Sequence, residues 1–263
     1  MIKLFDTHCH FDFEMFRDDF EHHLQRAKEQ GVARILIPSV GPQNWSRIQS
    51  LAAQHTSLYY ALGFHPYFLD GNFQHHQSQL EQLIARADDR CVAIGECGLD
   101  FALTVPVEWQ EAALSAQFDL AKSYDLPVIL HCRKAHNRLI QLVKKAQLPR
   151  GGVVHAFSGS YQQAMEWVKL GFYIGVGGTI TYPRAKKTRD AIQRLPLNTV
   201  VLETDAPDMP ILGYQGQANH PDKLIHVLKS LSALRGEPLQ SIASQVWENS
   251  NFAFSLCECN PKL

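Results

Sequence analysis

With 263 residues, 45% of them apolar and 19% charged, the chain can bury a sizeable core, which excludes the disordered class. A formal net charge of -1 excludes a global positive field, so any polyanion contact must come from a local patch or a metal. No apolar run reaches the ~18 residues of a membrane span, and no basic stretch followed by an apolar core opens the chain. Neither a membrane contact nor a signal peptide is expected.

β-rich runs occupy 2–6, 33–39, 58–63, 91–96, 126–131, 151–156, 171–177 and 199–205. Helix-like segments lie between them at 16–30, 45–55, 77–87, 108–124, 138–146, 161–170 and 186–194, and two more follow at 221–234 and 238–257. The strand runs are nearly continuous Val, Ile and Leu, as expected of a parallel sheet covered on both faces. Gly31, Gly171 and Gly236 stand where helix C-caps are expected. Strands each followed by a helical segment, at this length, predict an α/β fold of the (β/α)8 TIM-barrel type, one domain over 1–263. The rival, a doubly wound open sheet, would carry a Gly-rich phosphate loop after its first strand, where this chain has THCHFD.

In such a barrel the active site lies at the C-terminal strand ends. The first strand ends in His8 and His10, the third in GFHP with His65, and the fourth in IGECGLD with Glu96 and Asp100. The fifth ends in ILHCRKA with His131 and Arg133, the sixth in VVHAFSG with His155, and the eighth in LETDAP with Asp205. A lone histidine at a strand end is most often structural. Imidazoles and carboxylates gathered on one rim need a common cause, and a metal site supplies it. Cys9, Cys97 and Cys132 each follow a proposed ligand, so alternation turns them to the helix-facing layer as small fillers. The six cysteines form no CxxC pair and fit reduced thiols in a cytoplasmic protein; Cys257 and Cys259 read as ordinary thiols.

Six ligands exceed the four that one tetrahedral zinc accepts. Two divalent ions about 3.5–4 Å apart, bridged by a carboxylate, fit better. Glu96 is assigned as the bridge, with His8, His10 and Asp205 on one ion and His131 and His155 on the other. The imidazoles favour zinc, and the carboxylates leave manganese or magnesium open.

The motifs DTHCH, GFHP, IGECGLD, LPVILHCRKA, VVHAFSGS, LGFYIGVGGTITYP and LETDAP, in this order, resemble those of the TatD-type metal-dependent hydrolases. The resemblance to these amidohydrolase-like barrels covers almost the whole chain and is strongest to their YjjV-type members. It implies a (β/α)8 barrel, a divalent metal pair and phosphodiester hydrolysis, often as a deoxyribonuclease. By motif it carries over His8, His10, Glu96, His131, His155 and Asp205 as ligands. Two departures stand out. The GLD motif runs into FALTVPVEWQ, and Ala218 replaces the arginine expected before Asn219 and Pro221, which bears on the choice of DNA as substrate.

The expected reaction is attack of a metal-activated water on a phosphodiester substrate such as DNA, with Asp205 and Glu96 as the catalytic carboxylates. His65 and Arg133 are placed to contact the phosphate. The alternatives are a loop-holding role for His65 beside Pro66 and a rim salt bridge for Arg133. Asp100 is expected to orient a ligand histidine or a loop. The segment TYPRAKKTR sets Arg184, Lys186, Lys187 and Arg189 near the rim, as a phosphate track or a solvated helix face, with Tyr182 stacking on a base or packing. His22, His23, His75 and His76 are expected at the surface. The alternative function is hydrolysis of a C–N or carboxylic ester bond, although other barrels of that kind often use a carboxylated lysine where Glu96 stands. A metal-binding protein without activity is a third reading, disfavoured by the complete ligand set. No obligate protein partner is expected.

Overall fold

Runs of β-branched residues with no polar face must bury both sides of a strand, and here each does. In the computed structural model, which describes residues 2–256, the strands are β1 (Leu4–Asp6), β2 (Val32–Pro38), β3 (Leu58–Leu62) and β4 (Cys91–Asp100). They continue with β5 (Val128–Arg133), β6 (Gly152–Val154), β7 (Phe172–Val176) and β8 (Val200–Leu202). All pair parallel in sequence order, β1-β2-β3-β4-β5-β6-β7-β8. The ring closes between β8 and β1: Thr7 donates to the Leu202 carbonyl from its N–H (3.0 Å) and its hydroxyl (2.9 Å). Just above, Thr204 donates to the Asp6 carboxylate from its N–H at 2.9 Å and its hydroxyl at 2.6 Å. The chain is a (β/α)8 barrel.

The covering helices are α1 (Phe20–Glu29), α2 (Trp45–Gln54), α3 (Phe73–Ala85), α4 (Val107–Ser123) and α5 (His136–Ala146). They continue with α6 (Tyr161–Lys169), α7 (Lys186–Arg194), α8 (Leu224–Arg235) and α9 (Leu239–Ala253). Several boundaries differ from expectation. The segment 16–30 is a short 3-10 turn at Glu14–Phe16 followed by α1, and 221–234 is a turn at Pro221–Lys223 followed by α8. Helix α3 starts at Phe73, because Phe73, Leu80 and Ile84 form its buried face and carry the polar His75–His76 pair into the helix. The last expected segment stops at Ala253; Cys257 and Cys259 lie outside the described residues.

Strand alternation sorts the apolar side chains into two layers. Leu58, Tyr60 and Leu62 of β3, Val128 and Leu130 of β5, and Val200 and Leu202 of β8 pack outward with the helices. Tyr59, Ala61, Ile129, Val153 and Val201 fill the barrel interior. Phe254, just after α9, joins that inner group with its ring 5.8 Å from Phe5. Cys9, Cys97 and Cys132 go with the outer layer, as alternation predicts. The filled interior leaves the upper strand ends as the place where inward side chains meet polar surroundings.

Candidate metal centre

In β5, β6 and β8 the inward parity, continued past the apolar residues, delivers the polar ones. Ile129 leads to His131, Val153 to His155, and Val201 to Glu203 and Asp205. A register shift in β4 between Ile94 and Cys97 brings Glu96 onto the same inner face. The backbone of Asp205 sits at φ 56°, in the left-handed region uncommon outside glycine, and its N–H reaches the His8 carbonyl at 2.9 Å.

Glu96, 1% exposed, lies at the centre. Its Oε2 is 3.0 Å from His8 Nε2 and 3.6 Å from His10 Nε2. Its Oε1 is 2.7 Å from His155 Nε2, 2.9 Å from His131 Nδ1 and 3.1 Å from His65 Nε2. Asp205 Oδ1 stands 3.6 Å from His8 Nε2 and 3.8 Å from His10 Nε2. Among the described residues, three triplets have donor atoms close enough to share an ion: His8–His10–Glu96, His8–His155–Asp205 and His65–Glu96–His131. The six residues expected as ligands therefore converge. The grouping is less tidy than expected: His155 lies with His8 (rings stacked, centroids 3.9 Å apart) as well as with His131.

Protonation follows from the surroundings. Burial drives His8 well below the usual imidazole range and His10 down to about 4, so both present free lone pairs. Burial alone would raise Glu96, but the ring of histidines holds its carboxyl well below the usual range. Burial, then the Glu96 charge, pushes Asp205 well up. Buried nitrogens on His8, His10 and His155, and Glu96 Oε2, have no hydrogen-bond partner among the described residues. Isolated buried polar atoms are costly. A cation between His8 Nε2 and Glu96 Oε2 would relieve that cost at both atoms, so the donor set fits a divalent metal.

His131 and His65 differ in a way that separates their roles. His131 sets Nε2 3.3 Å from Asp100 Oδ2 and Nδ1 2.9 Å from Glu96 Oε1; burial alone would lower its pKa, but these two carboxylates raise it to about 9. A cation at the centre would displace the Nδ1 proton and leave the one on Nε2 held by Asp100. This carboxylate–histidine relay is the arrangement that typically backs a metal ligand. His65 is reversed: its Nδ1 accepts from the Tyr67 N–H at 3.0 Å, which leaves the proton on Nε2, aimed at Glu96. His65 thus both holds its loop and offers a donor to the centre. Arg133 stands 3.6 Å from Asp100 Oδ2 with its side chain 62% exposed, so it makes the rim salt bridge and remains reachable from solvent.

One inward residue escaped the sequence reading. Glu203 is fully buried; its Oε1 accepts from the Ala156 N–H at 2.5 Å and its Oε2 has no partner among the described residues. A Cβ at Gly175 would stand 2.5 Å from Glu203 Oε2, so glycine there makes the room. Burial, then the Asp205 charge, pushes the Glu203 carboxyl well up. Parity with Val201 and Asp205 was the available signal. His23, expected at the surface, is half-buried and lies 3.1 Å from His220 Nε2, because α1 packs on the segment after β8. Asn219 is spent on structure, donating to the Thr204 (2.8 Å) and Met209 (3.2 Å) carbonyls.

A parallel barrel with a buried carboxylate among lone-pair imidazoles at its mouth defines the class of metal-dependent hydrolases. The chain belongs to the TatD family, whose description, TatD related DNase, matches residues 5–255. It is 49% identical over 255 residues to the metal-dependent hydrolase YjjV of Escherichia coli K12, covering 97% of this chain and 98% of that one. The crystal structure of that TatD homologue superposes with a TM-score of 0.93 over 96% of this chain and 98% of the other. The 3'-5' ssDNA/RNA exonuclease TatD of Klebsiella pneumoniae (strain 342) is 32% identical over 263 residues, 96% of this chain and 98% of that one.

Proposed function

We propose that the chain hydrolyses phosphodiester bonds in single-stranded nucleic acid, DNA foremost, at a two-cation centre held by His8, His10, Glu96, His131, His155 and Asp205. One observation carries the reading: the two oxygens of a single buried carboxylate, Glu96, face two separate sets of imidazoles. Zinc suits these donors best, with manganese or magnesium as alternatives. When bound, such ions polarise phosphoryl oxygens and lower the pKa of water. Asp205, its side chain 14% exposed against 1% for Glu96, is the carboxylate open to an attacking water and accepts its proton. The Nε2 proton of His65 and the exposed fork of Arg133 contact the phosphate. The name of the Klebsiella relative supports single strands as substrate. The cytoplasm is the location that goes with this reading, and no helix among the described residues is long and apolar enough to cross a membrane.

The test is turnover by metal-loaded protein of bis(p-nitrophenyl) phosphate and of end-labelled single- and double-stranded DNA. Both the diester and the single strand should be cleaved, and Asp205→Asn should lower the rate at least about 100-fold, as loss of a general base does. Hydrolysis of amides or acyl esters alone would sink the proposal in favour of the C–N or carboxylic ester reading.

A further inference from the structure

Next to the metal centre, a cavity of about 460 Å³ opens between the ends of β4, β5 and β6 and the start of α7. That is the size of a site for one small ligand such as a nucleotide. His155 forms part of its wall, so anything lodged there abuts the donor cluster. The cavity differs in charge from the centre beside it. The centre gathers Glu96, Asp100, Glu203 and Asp205, whereas none of the residues lining the cavity is a carboxylate.

Besides His155, four basic side chains line it, and they are not equivalent. Arg138 is engaged by Glu111 through two contacts of 2.6 Å, and His136 by Glu166 at 2.9 Å. Lys134 and Lys187 are exposed and have no ion-pair partner among the described residues. The rest of the basic segment is spent elsewhere. Arg184 lies over the Tyr182 ring (4.9 Å), Arg189 donates to the Ile180 carbonyl, and the Tyr182 hydroxyl donates to the Pro210 carbonyl at 2.6 Å. From TYPRAKKTR, then, it is Lys187, at the start of α7, that lines the cavity together with Lys134, which follows β5. Two unpaired ammonium groups in a concave, carboxylate-free site favour an anionic phosphate. Phe101, 36% exposed on the same wall, offers a face for a base. The indole N–H of Trp167, fully buried in that wall, has no acceptor among the described residues.

We infer that this cavity is the subsite for the nucleotide flanking the scissile bond, with Lys134 and Lys187 on its second phosphate and Phe101 beneath its base. The inference rests on the phosphodiesterase reading and adds the residues that distinguish a nucleic-acid strand from a simple diester.

The test is calorimetric titration of metal-loaded protein with thymidine 3',5'-bisphosphate and with thymidine 5'-monophosphate. The wild type should favour the bisphosphate. In K134A/K187A its Kd should rise at least about tenfold, and the dependence of log Kd on log salt should flatten by about one for the lost phosphate contacts. K144A/K145A removes the same charge from the end of α5 and should change neither; melting temperatures of both variants establish that they fold. Equal weakening in the two double variants would reduce the effect to net charge, and no weakening in K134A/K187A would overturn the subsite. Oligonucleotide cleavage keeps the two ideas apart. Protein that cleaves DNA while K134A/K187A binds the bisphosphate normally loses the subsite and keeps the function. Protein that binds the bisphosphate through these lysines yet hydrolyses no phosphodiester loses the function.

Discussion

The assignment of His131 as ligand and His65 as donor depends on which ring nitrogen is already engaged. In His131 the outer nitrogen meets a carboxylate, Asp100, and in His65 it meets a backbone N–H, so with a cation on Nδ1 of His131 the two rings would carry opposite tautomers. Asp100→Asn weakens the acceptor that holds His131 in its tautomer. Metal affinity should fall about 10- to 100-fold, the usual cost of losing such a partner, and competition with a zinc chromophore measures it. Unchanged affinity would mean that His131 needs no help from Asp100. His65→Gln makes the opposite prediction. His65 is outside the expected ligand set, so the metal content found by elemental analysis should match the wild type. Turnover of oligonucleotides should drop about 10- to 100-fold, for a charge-assisted hydrogen bond of about 1.5–3 kcal/mol. Loss of metal in this variant would move His65 into the ligand set.

Between elements, the segment after β8 is tied to α1 through Asp222, whose Oδ2 lies 2.6 Å from Arg26 Nη2 and whose Oδ1 lies 3.2 Å from His220. Burial alone would raise this carboxyl, but the hydrogen bond and charge of His220 and the Arg26 guanidinium hold it well below the usual range. A depressed folded pKa means stability that is present above the unfolded value of about 3.9 and lost as pH falls through the folded one. Asp222→Asn should therefore cost about 2 kcal/mol at pH 7, read from urea midpoints, with the gap to wild type narrowing below about pH 4. A gap that stays constant with pH would remove the charge from the account. This tie was not legible in the sequence, since Arg26 and Asp222 are 196 positions apart and nothing local marks them as partners. The strands were legible because a strand buried on both faces needs an unbroken apolar run. Most helix starts were legible too, but that of α3 was not: Phe73 begins it ahead of a polar histidine pair because burial of its ring outweighs local polarity. At the centre, strand-end position made the six expected ligands visible. Glu203 was hidden because LETDAP carries two acidic residues on the inward parity and strand-end position marks only the last.

At the scale of the whole barrel, the donors come from β1, β4, β5, β6 and the end of β8, so the centre joins distant parts of the ring. Without a cation those parts meet through buried atoms that lack partners and through imidazoles crowded on one carboxylate. An unfolded chain offers no such arrangement, so a metal that binds the folded state stabilises all of it at once. At free metal about 100-fold above its Kd the gain is about 2.7 kcal/mol, which for a chain of this size raises the Tm by about 5–10 °C. Calorimetry with and without a chelator should show that shift in the wild type. In Glu96→Gln, where the carboxylate facing both sets of histidines becomes a neutral amide, the shift should nearly vanish. In Lys134→Ala, outside the donor set, it should persist in full. Equal shifts in all three proteins would place the bound ion away from Glu96, and no shift in the wild type would mean that the convergence of these side chains holds no metal.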